Sequence, residues 1–312
     1  MRPRLAASAL LVLCVLLVAG CGDDEEDSGS EPVGTVSQSE PATTVGAGVI
    51  TISSEDDVDA AFKKLVSKLE ANPDIIVVAE VDHTANARGV GEELPEIREV
   101  IFGNPTLGTP LMASSPSAGI DLPQKVLVYE DAGDVRLAYN DPAYIASRHR
   151  IDDAQPTIEM IAGALGMLVG EGEPASPSEV GAQAGLITTP SPDPVDESFD
   201  RLVSALESNP DIKVVAEVDH TANASGVGEE LPEIREVIFG NPKLGTPLMQ
   251  EQAVVGLDLP QKILVYETAD GTQVAYNDPA YVADRGGVST DSETVDQISA
   301  ALKKLSGVAA GS

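Results

Sequence analysis

Residues 79–112 read AEVDHTANARGVGEELPEIREVIFGNPTLGTPLM, and residues 216–249 read AEVDHTANASGVGEELPEIREVIFGNPKLGTPLM. The two stretches agree at 32 of 34 positions and differ only at Arg88 against Ser225 and Thr106 against Lys243. The same offset of 137 residues runs without a gap from Ile50 and Ile187 to Ala164 and Ala301. A period that long exceeds any solenoid unit, so it marks a duplicated domain of roughly 120 residues. Copy one is placed at 47–170 and copy two at 187–307, with a linker at 171–186 rich in Gly, Pro, Ser and Glu. Identity between such copies says little about function by itself. Positions where they differ mark where change is tolerated.

Each copy has the same rhythm of apolar residues. A short strand at 49–52 precedes a helix for which Ser54 is the expected cap, with Val58, Phe62, Leu65 and Leu69 on one face. In copy two, Asp193 is the expected cap, Pro194 takes the first turn, and Val195, Phe199, Leu202 and Leu206 form the face. The β-branched run 75–81 is a strand. Its even-numbered side should meet water, because Lys213 stands in copy two where copy one has Ile76. A short helix over 84–90, a strand over 96–102 and a hairpin from 126–130 and 135–139 follow. Asp270-Gly271 supplies the hairpin turn in copy two. The closing helix carries Ile158, Ile161, Ala162, Leu165 and Leu168, and in copy two Val295, Ile298, Leu302 and Leu305. The order β-α-β-(α)-β-β-β-α predicts an α+β fold in two tandem copies, each an antiparallel sheet covered by helices.

The N-terminal residues read as a targeting segment. Arg2 and Arg4 precede a short apolar run that is too short for a permanent membrane span, and the run ends in Val18-Ala19-Gly20-Cys21. Small residues before a cysteine are what a lipoprotein signal peptidase requires; a plain signal peptide cut after Gly20 is the alternative. The expectation is a signal peptide at 1–20, a lipid on Cys21, and an acidic, polar tether at 21–46 with no apolar period. Acyl chains would then hold the protein to the extracytoplasmic face of the cell membrane at roughly 0.8 kcal/mol per buried CH₂.

Cleavage would remove Arg2 and Arg4 and take the formal charge from −32 to −34. It would leave Cys21 as the single cysteine, so no internal disulfide could form. A charge of that sign repels nucleic-acid phosphates and anionic lipid surfaces, which removes nucleic acid from the list of partners. With no Trp and 3% aromatics, a stacking platform for sugars or bases is also excluded.

Several residues resemble the family called domain of unknown function 302. They are Phe102-Gly103-Asn104-Pro105, Gly108 to Met112, Leu122-Pro123, Val126 to Glu130, and Tyr139-Asn140-Asp141-Pro142 with Ala146-Ser147-Arg148-His149. Copy two repeats the first four of these groups and Tyr276 to Pro279, but has Gly286-Gly287 where copy one has His149-Arg150. The resemblance implies a compact fold like that of the TATA-binding-protein-like group. It also implies association in pairs, either between the two copies of one chain or as a homodimer. It brings no catalytic residues.

The strongest chemical constellation is Glu80-Val81-Asp82-His83, with its twin Glu217, Asp219 and His220. Two carboxylates on one strand face beside an imidazole suit a divalent metal or a shared proton. The alternative is that Asp82 caps the helix at Thr84 and His83 bonds locally. Gly103-Asn104, with Gly240-Asn241, could present free N–H groups to an anion, or could be a helix cap followed by Pro at N1. The run Gly89 to Leu94 lacks the third glycine of a dinucleotide fingerprint and follows a helix, so it is rejected. Tyr129, Tyr139, Tyr144, Met112 and Met249 read as sheet and core residues. No cofactor motif is evident beyond the divalent-metal option. The sequence favours a lipid-anchored extracytoplasmic binding or interaction module of unknown ligand or protein partner. A small acid/base or metal-dependent enzyme built on Glu80, Asp82 and His83 is the alternative, followed by a purely structural envelope protein.

Overall fold

The computed structural model describes residues 46–312; Cys21 and the stretches expected as signal peptide and tether, up to residue 45, lie outside them. Repeat one runs β1 (Val49–Ser54), α1 (Val58–Glu70), β2 (Ile76–Asp82), α2 (His83–Gly89), β3 (Ile97–Gly103), α3 (Pro105–Ser114), a 3-10 helix (Pro116–Asp121), β4 (Gln124–Asp131), β5 (Asp134–Asn140), α4 (Pro142–His149) and α5 (Gln155–Leu168). Repeat two gives β6 (Leu186–Ser191), α6 (Val195–Glu207), β7 (Lys213–Asp219), α7 (His220–Gly226), β8 (Ile234–Gly240), α8 (Pro242–Glu251), a 3-10 helix (Ala253–Asp258), β9 (Gln261–Thr268), β10 (Gly271–Asn277), α9 (Pro279–Gly286) and α10 (Glu293–Ala309). Each repeat is α+β with one five-stranded antiparallel sheet, ordered β1-β5-β4-β3-β2 and β6-β10-β9-β8-β7. Among the described residues no helix is long and apolar enough to cross a membrane.

The apolar faces read from sequence are largely the buried ones, except on α5, where Ala162 is exposed and Leu168 half-buried. Val58, Phe62, Leu65 and Leu69 of α1 and Val195, Phe199, Leu202 and Leu206 of α6 are covered. Ile76 and Lys213 are exposed. Three local expectations change. Asp57, not Ser54, caps α1, accepting from Ala60 N at 2.8 Å, while Ser54 accepts from Asp56 N. Pro194 takes the cap position of α6 with no side-chain cap, and Asp193 instead lies 2.9 Å from Arg201. Asp141-Pro142 does more than stop β5: Asp141 accepts from Ala143 N and opens α4 with Pro at its first position.

One face of each sheet carries its own long helices. The other face meets the other repeat, with the 3-10 helix Pro116–Asp121 against β9 and Ala253–Asp258 against β4. The contact is isologous: a residue and its counterpart 137 positions later make exchanged contacts, as across a two-fold axis. Tyr144 Oη and Tyr281 Oη meet at 3.0 Å on that axis. Arg148 pairs with Asp121 of its own repeat and donates across to Asn277 Oδ1 at 2.8 Å; Arg285 pairs with Asp258 and donates across to Asn140 Oδ1 at 2.6 Å. Lys125 donates to the carbonyls of Leu257 and Leu259 and lies 3.0 Å from Glu99, and Lys262 lies 3.2 Å from Glu236. Arg148 and Arg285 are each paired with a buried or nearly buried aspartate, while Lys125 and Lys262 lie buried beside Glu99 and Glu236, whose carboxyls burial raises.

Gly48 and Gly185 make the axis possible. Both have positive φ, +62° and +61°. A Cβ on Gly48 would sit 2.2 Å from Tyr144 Cβ, and one on Gly185 2.0 Å from Tyr281 Cγ. Gly48→Ala is expected to destabilise the protein by about 3 kcal/mol, adding the left-handed backbone penalty to overpacking. Gly91→Ala has positive φ but open space around its Cβ, so it should cost only about 1 kcal/mol. Urea unfolding of the two variants checks this, and equal midpoints would show that Tyr144 yields.

Candidate functional site

The Glu-x-Asp-His residues do not converge. Glu80 and Glu217 are exposed on the edge strands β2 and β7. Asp82 and Asp219 are helix caps, accepting from Ala85 N and Ala222 N at 2.7 Å. His83 and His220 begin α2 and α7 and turn inward to 5% and 4% exposure. Among the described residues no group of three or more His, Cys, Asp or Glu is arranged to hold a metal ion. The anion option at Gly103-Asn104 also fails to assemble. Asn104 Oδ1 takes Thr106 N, its carbonyl takes Leu107 N and Gly108 N, and Pro105 has no N–H to offer. Asn241, after Gly240, does the same for Lys243, Leu244 and Gly245.

The inward turn of the histidines leads to two cavities that the sequence did not reveal. One, of about 120 Å³, lies between α3, α5 and the ends of β3 and β4, walled by Phe102, Leu107, Met112, Ile161, Leu165 and Leu168. Val218, His220 and Asn223 of the other repeat close it. The second, of about 130 Å³, is built from Phe239, Leu244, Met249, Ile298, Leu302 and Leu305, and is closed by Val81, His83 and Asn86 of repeat one. Each cavity is therefore composite, with the walls from one repeat and the imidazole from the other. Gly103 and Asn104, and Gly240 and Asn241, line them too.

Asn72, Asn104, Asn209 and Asn241 of the linings are satisfied by neighbouring backbone N–H groups, but other polar groups of the lining residues have no partner. His83 Nε2 and His220 Nε2 are buried with no hydrogen-bond partner, as are the Nε2 atoms of Gln124 and Gln261, which line the same cavities. Burial, helped by the Lys125 and Lys262 ammonium groups, pulls both histidines down to about 3, so each imidazole is neutral at physiological pH. A neutral imidazole offers one donor and one acceptor. Leaving such groups unpaired in an apolar wall is unfavourable and uncommon in folded proteins.

The two linings correspond position for position at the 137-residue offset, and only Ile76 against Lys213 differs. Elsewhere the copies have diverged. Between residues 155–168 and 292–305 only Thr157, Ile161, Ala164, Leu165 and Leu168 match their counterparts, and the last four all line the cavity. Core packing alone does not account for this, since Ala301, the counterpart of Ala164, is exposed and unchanged while the buried Ile158 has become Val295.

A second constellation is closed off. Ser117 Oγ lies 2.9 Å from His149 Nδ1, and His149 Nε2 lies 2.7 Å from Asp121 Oδ2. The composition is that of a nucleophilic triad, yet Ser117 is buried and lines neither cavity. Burial would raise Asp121, but the Arg148 guanidinium and His149 outweigh it and hold the carboxyl well below the usual range. Repeat two has Val254 and Gly286 at the corresponding places, and the Val255 side chain fills the space beside Gly286. The cluster is a packing device of repeat one.

Comparison with known proteins gives the family. Two curated proteins, each called Fluoride-specific ion channel FluC 1, from Brucella suis biovar 1 (strain 1330) and Brucella abortus biovar 1 (strain 9-941), are 37% identical to this chain over 111 residues. The match takes in 35% of this chain and 43% and 41% of theirs, so the chain spans about two fifths of the length of these relatives. A crystal structure of an uncharacterized conserved protein DUF302 from Bacillus stearothermophilus is similar at 18% identity and a TM-score of 0.37, over 40% of this chain and 98% of that one. The profile described as Domain of unknown function DUF302 matches residues 50–168 and again 187–305. Those two stretches make up most of the sequence, and the chain belongs to the DUF302 family with two tandem copies of its domain.

Proposed function

We propose that the chain is a binding module that holds small molecules in its two composite cavities, anchored through a lipid on Cys21 at the extracytoplasmic face of the membrane. The observation that carries the binding part is the pair of buried, unpartnered imidazole Nε2 atoms on residues lining two largely apolar cavities. A concave apolar site with a few convergent polar groups is the usual form of a small-ligand pocket. The kept identity of Ile161, Ala164, Leu165 and Leu168 within a diverged helix supports it. The anchor rests on the Val18-Ala19-Gly20-Cys21 motif. The Brucella relatives carry a stretch of this kind in chains named for an ion channel, which agrees with a post beside a membrane.

Native mass spectrometry of the protein purified from its host tests the binding. Up to two adducts per chain are expected, released on denaturation and absent from the Ala164→Trp/Ala301→Trp variant, whose indoles fill both cavities. Identical, adduct-free masses for both proteins would sink the reading. Cys21→Ser is expected to remove the acyl mass and move the protein out of the membrane fraction.

A further inference from the structure

We propose that each cavity takes an uncharged, largely apolar molecule about the size of one six-membered ring, carrying a single hydroxyl or carbonyl oxygen that bonds the buried His–Gln pair. This rests on the binding reading above and adds the class of ligand.

Size comes first. Cavities of about 120 and 130 Å³ are close to the roughly 150 Å³ of an apolar cavity that accepts benzene. The mouths open to water beside Ile76 and Lys213, so a ligand with several rings would leave part of itself outside. Charge comes second. No charged side chain lines the first cavity, and Lys213 is the sole charged one lining the second. An ion would enter without a counter-charge, and transferring it from water would be strongly unfavourable. The formal charge of −32 also repels anions from the whole surface. The polar end comes third. Gln124 Nε2 and Gln261 Nε2 can only donate, so they need an acceptor. His220 Nε2 and His83 Nε2 donate or accept according to the tautomer. A hydroxyl oxygen accepts and donates and satisfies either tautomer; a carbonyl oxygen satisfies the one in which Nε2 carries the proton. A purely apolar ligand leaves both groups unpaired.

The test uses phenol, toluene and benzoate as probes on the full chain, by calorimetry and by the imidazole NMR signals. Of the three histidines, His149 lines neither cavity and serves as internal reference. Phenol is expected to bind at two sites per chain, shifting the His83 and His220 signals and leaving His149 still. Toluene should bind about tenfold more weakly, the value of one hydrogen bond to a buried unsatisfied group. In the H83L/H220L variant the preference for phenol over toluene should fall but not disappear, because Gln124 Nε2 and Gln261 Nε2 still need an acceptor, while toluene binding persists. Equal affinities for phenol and toluene in the wild type would overturn the ligand class and leave the cavity reading standing. Benzoate binding more tightly than phenol would overturn the uncharged class. No binding by any probe, with A164W/A301W indistinguishable from wild type, would overturn both readings together.

Discussion

Replacing Arg148 and Arg285 together by methionine is expected to unfold the protein at neutral pH. Arg148 is 1% exposed and Arg285 2%. Each holds an aspartate of its own repeat, donates to an asparagine of the other, and donates from Nε to a backbone carbonyl, Ala184 O or Ala47 O. Their guanidinium groups also lie over the paired tyrosines, Arg285 4.5 Å from the Tyr144 ring and Arg148 5.5 Å from that of Tyr281. Removing one partner of a buried ion pair leaves an uncompensated charge and costs about 3–5 kcal/mol. Two such losses reach the whole of a domain's usual stability of about 5–15 kcal/mol. The single variants should each retain the fold with a lowered urea midpoint, and the pair should not add simply, because the two arginines share the tyrosines. Arg148→Met/Asp121→Leu removes both charges and should recover part of the loss. A single-variant midpoint within error of wild type would show that the axis is held by apolar packing instead.

That network shows where sequence reasoning stops. The strands, the hairpins and the apolar faces of α1, α5, α6 and α10 follow from local periodicity, because each is decided by which residues must leave water. The hairpin of copy two is there, but Ala269 and Asp270 make its turn, and Gly271, with φ +105°, already pairs with Thr268 as the first residue of β10. Arg148 and Arg285 carry no local signal of burial. They are buried because another repeat 137 residues away covers them, and no local pattern carries that information. The histidines behave the same way. His83 follows two carboxylates and looks like part of a polar cluster, yet as the first residue of α2 it turns inward with Val81, to the side that meets the other repeat. Gln124 and Gln261 gave no signal, since a glutamine opening a strand is ordinary. Near-identity over 79–112 also hid the site, because a stretch where nothing has changed offers no contrast. The contrast lies in the closing helix, where Ile161, Ala164, Leu165 and Leu168 stay the same in both repeats while most of their neighbours differ. That pattern is legible in the amino-acid sequence itself, although the cavity that explains it is not.

Acid is expected to destabilise the wild-type protein strongly relative to its H83L/H220L variant. The folded histidines titrate at about 3 because burial disfavours their charged form, against 6.5 when exposed. Between those values the unfolded chain binds protons that the folded chain refuses, so stability falls as pH drops from 6.5 toward 3. Each histidine contributes about 1.4 kcal/mol per pH unit, so the two together amount to about 5 kcal/mol at pH 4.5. The comparison must be with the variant, because other buried groups act with the opposite sign. Burial raises Glu99 to about 8 and Glu236 to about 7, against the partial opposition of Lys125 and Lys262. Protonated in the folded state, those two carboxyls add stability below 4.5 that is lost as pH rises toward 7 and 8. In the wild type alone, the two carboxyls and the two histidines offset one another between pH 4.5 and 6.5, and the midpoint would move little. The carboxyls are present in both proteins and cancel in the difference, which isolates the histidines. Urea midpoints at pH 4.5, 5.5, 6.5 and 7.5 should give curves that run parallel above 6.5 and diverge below it, with the leucine variant the more resistant to acid. Curves parallel over the whole range would mean that His83 and His220 reach solvent when charged, and that the cavities open.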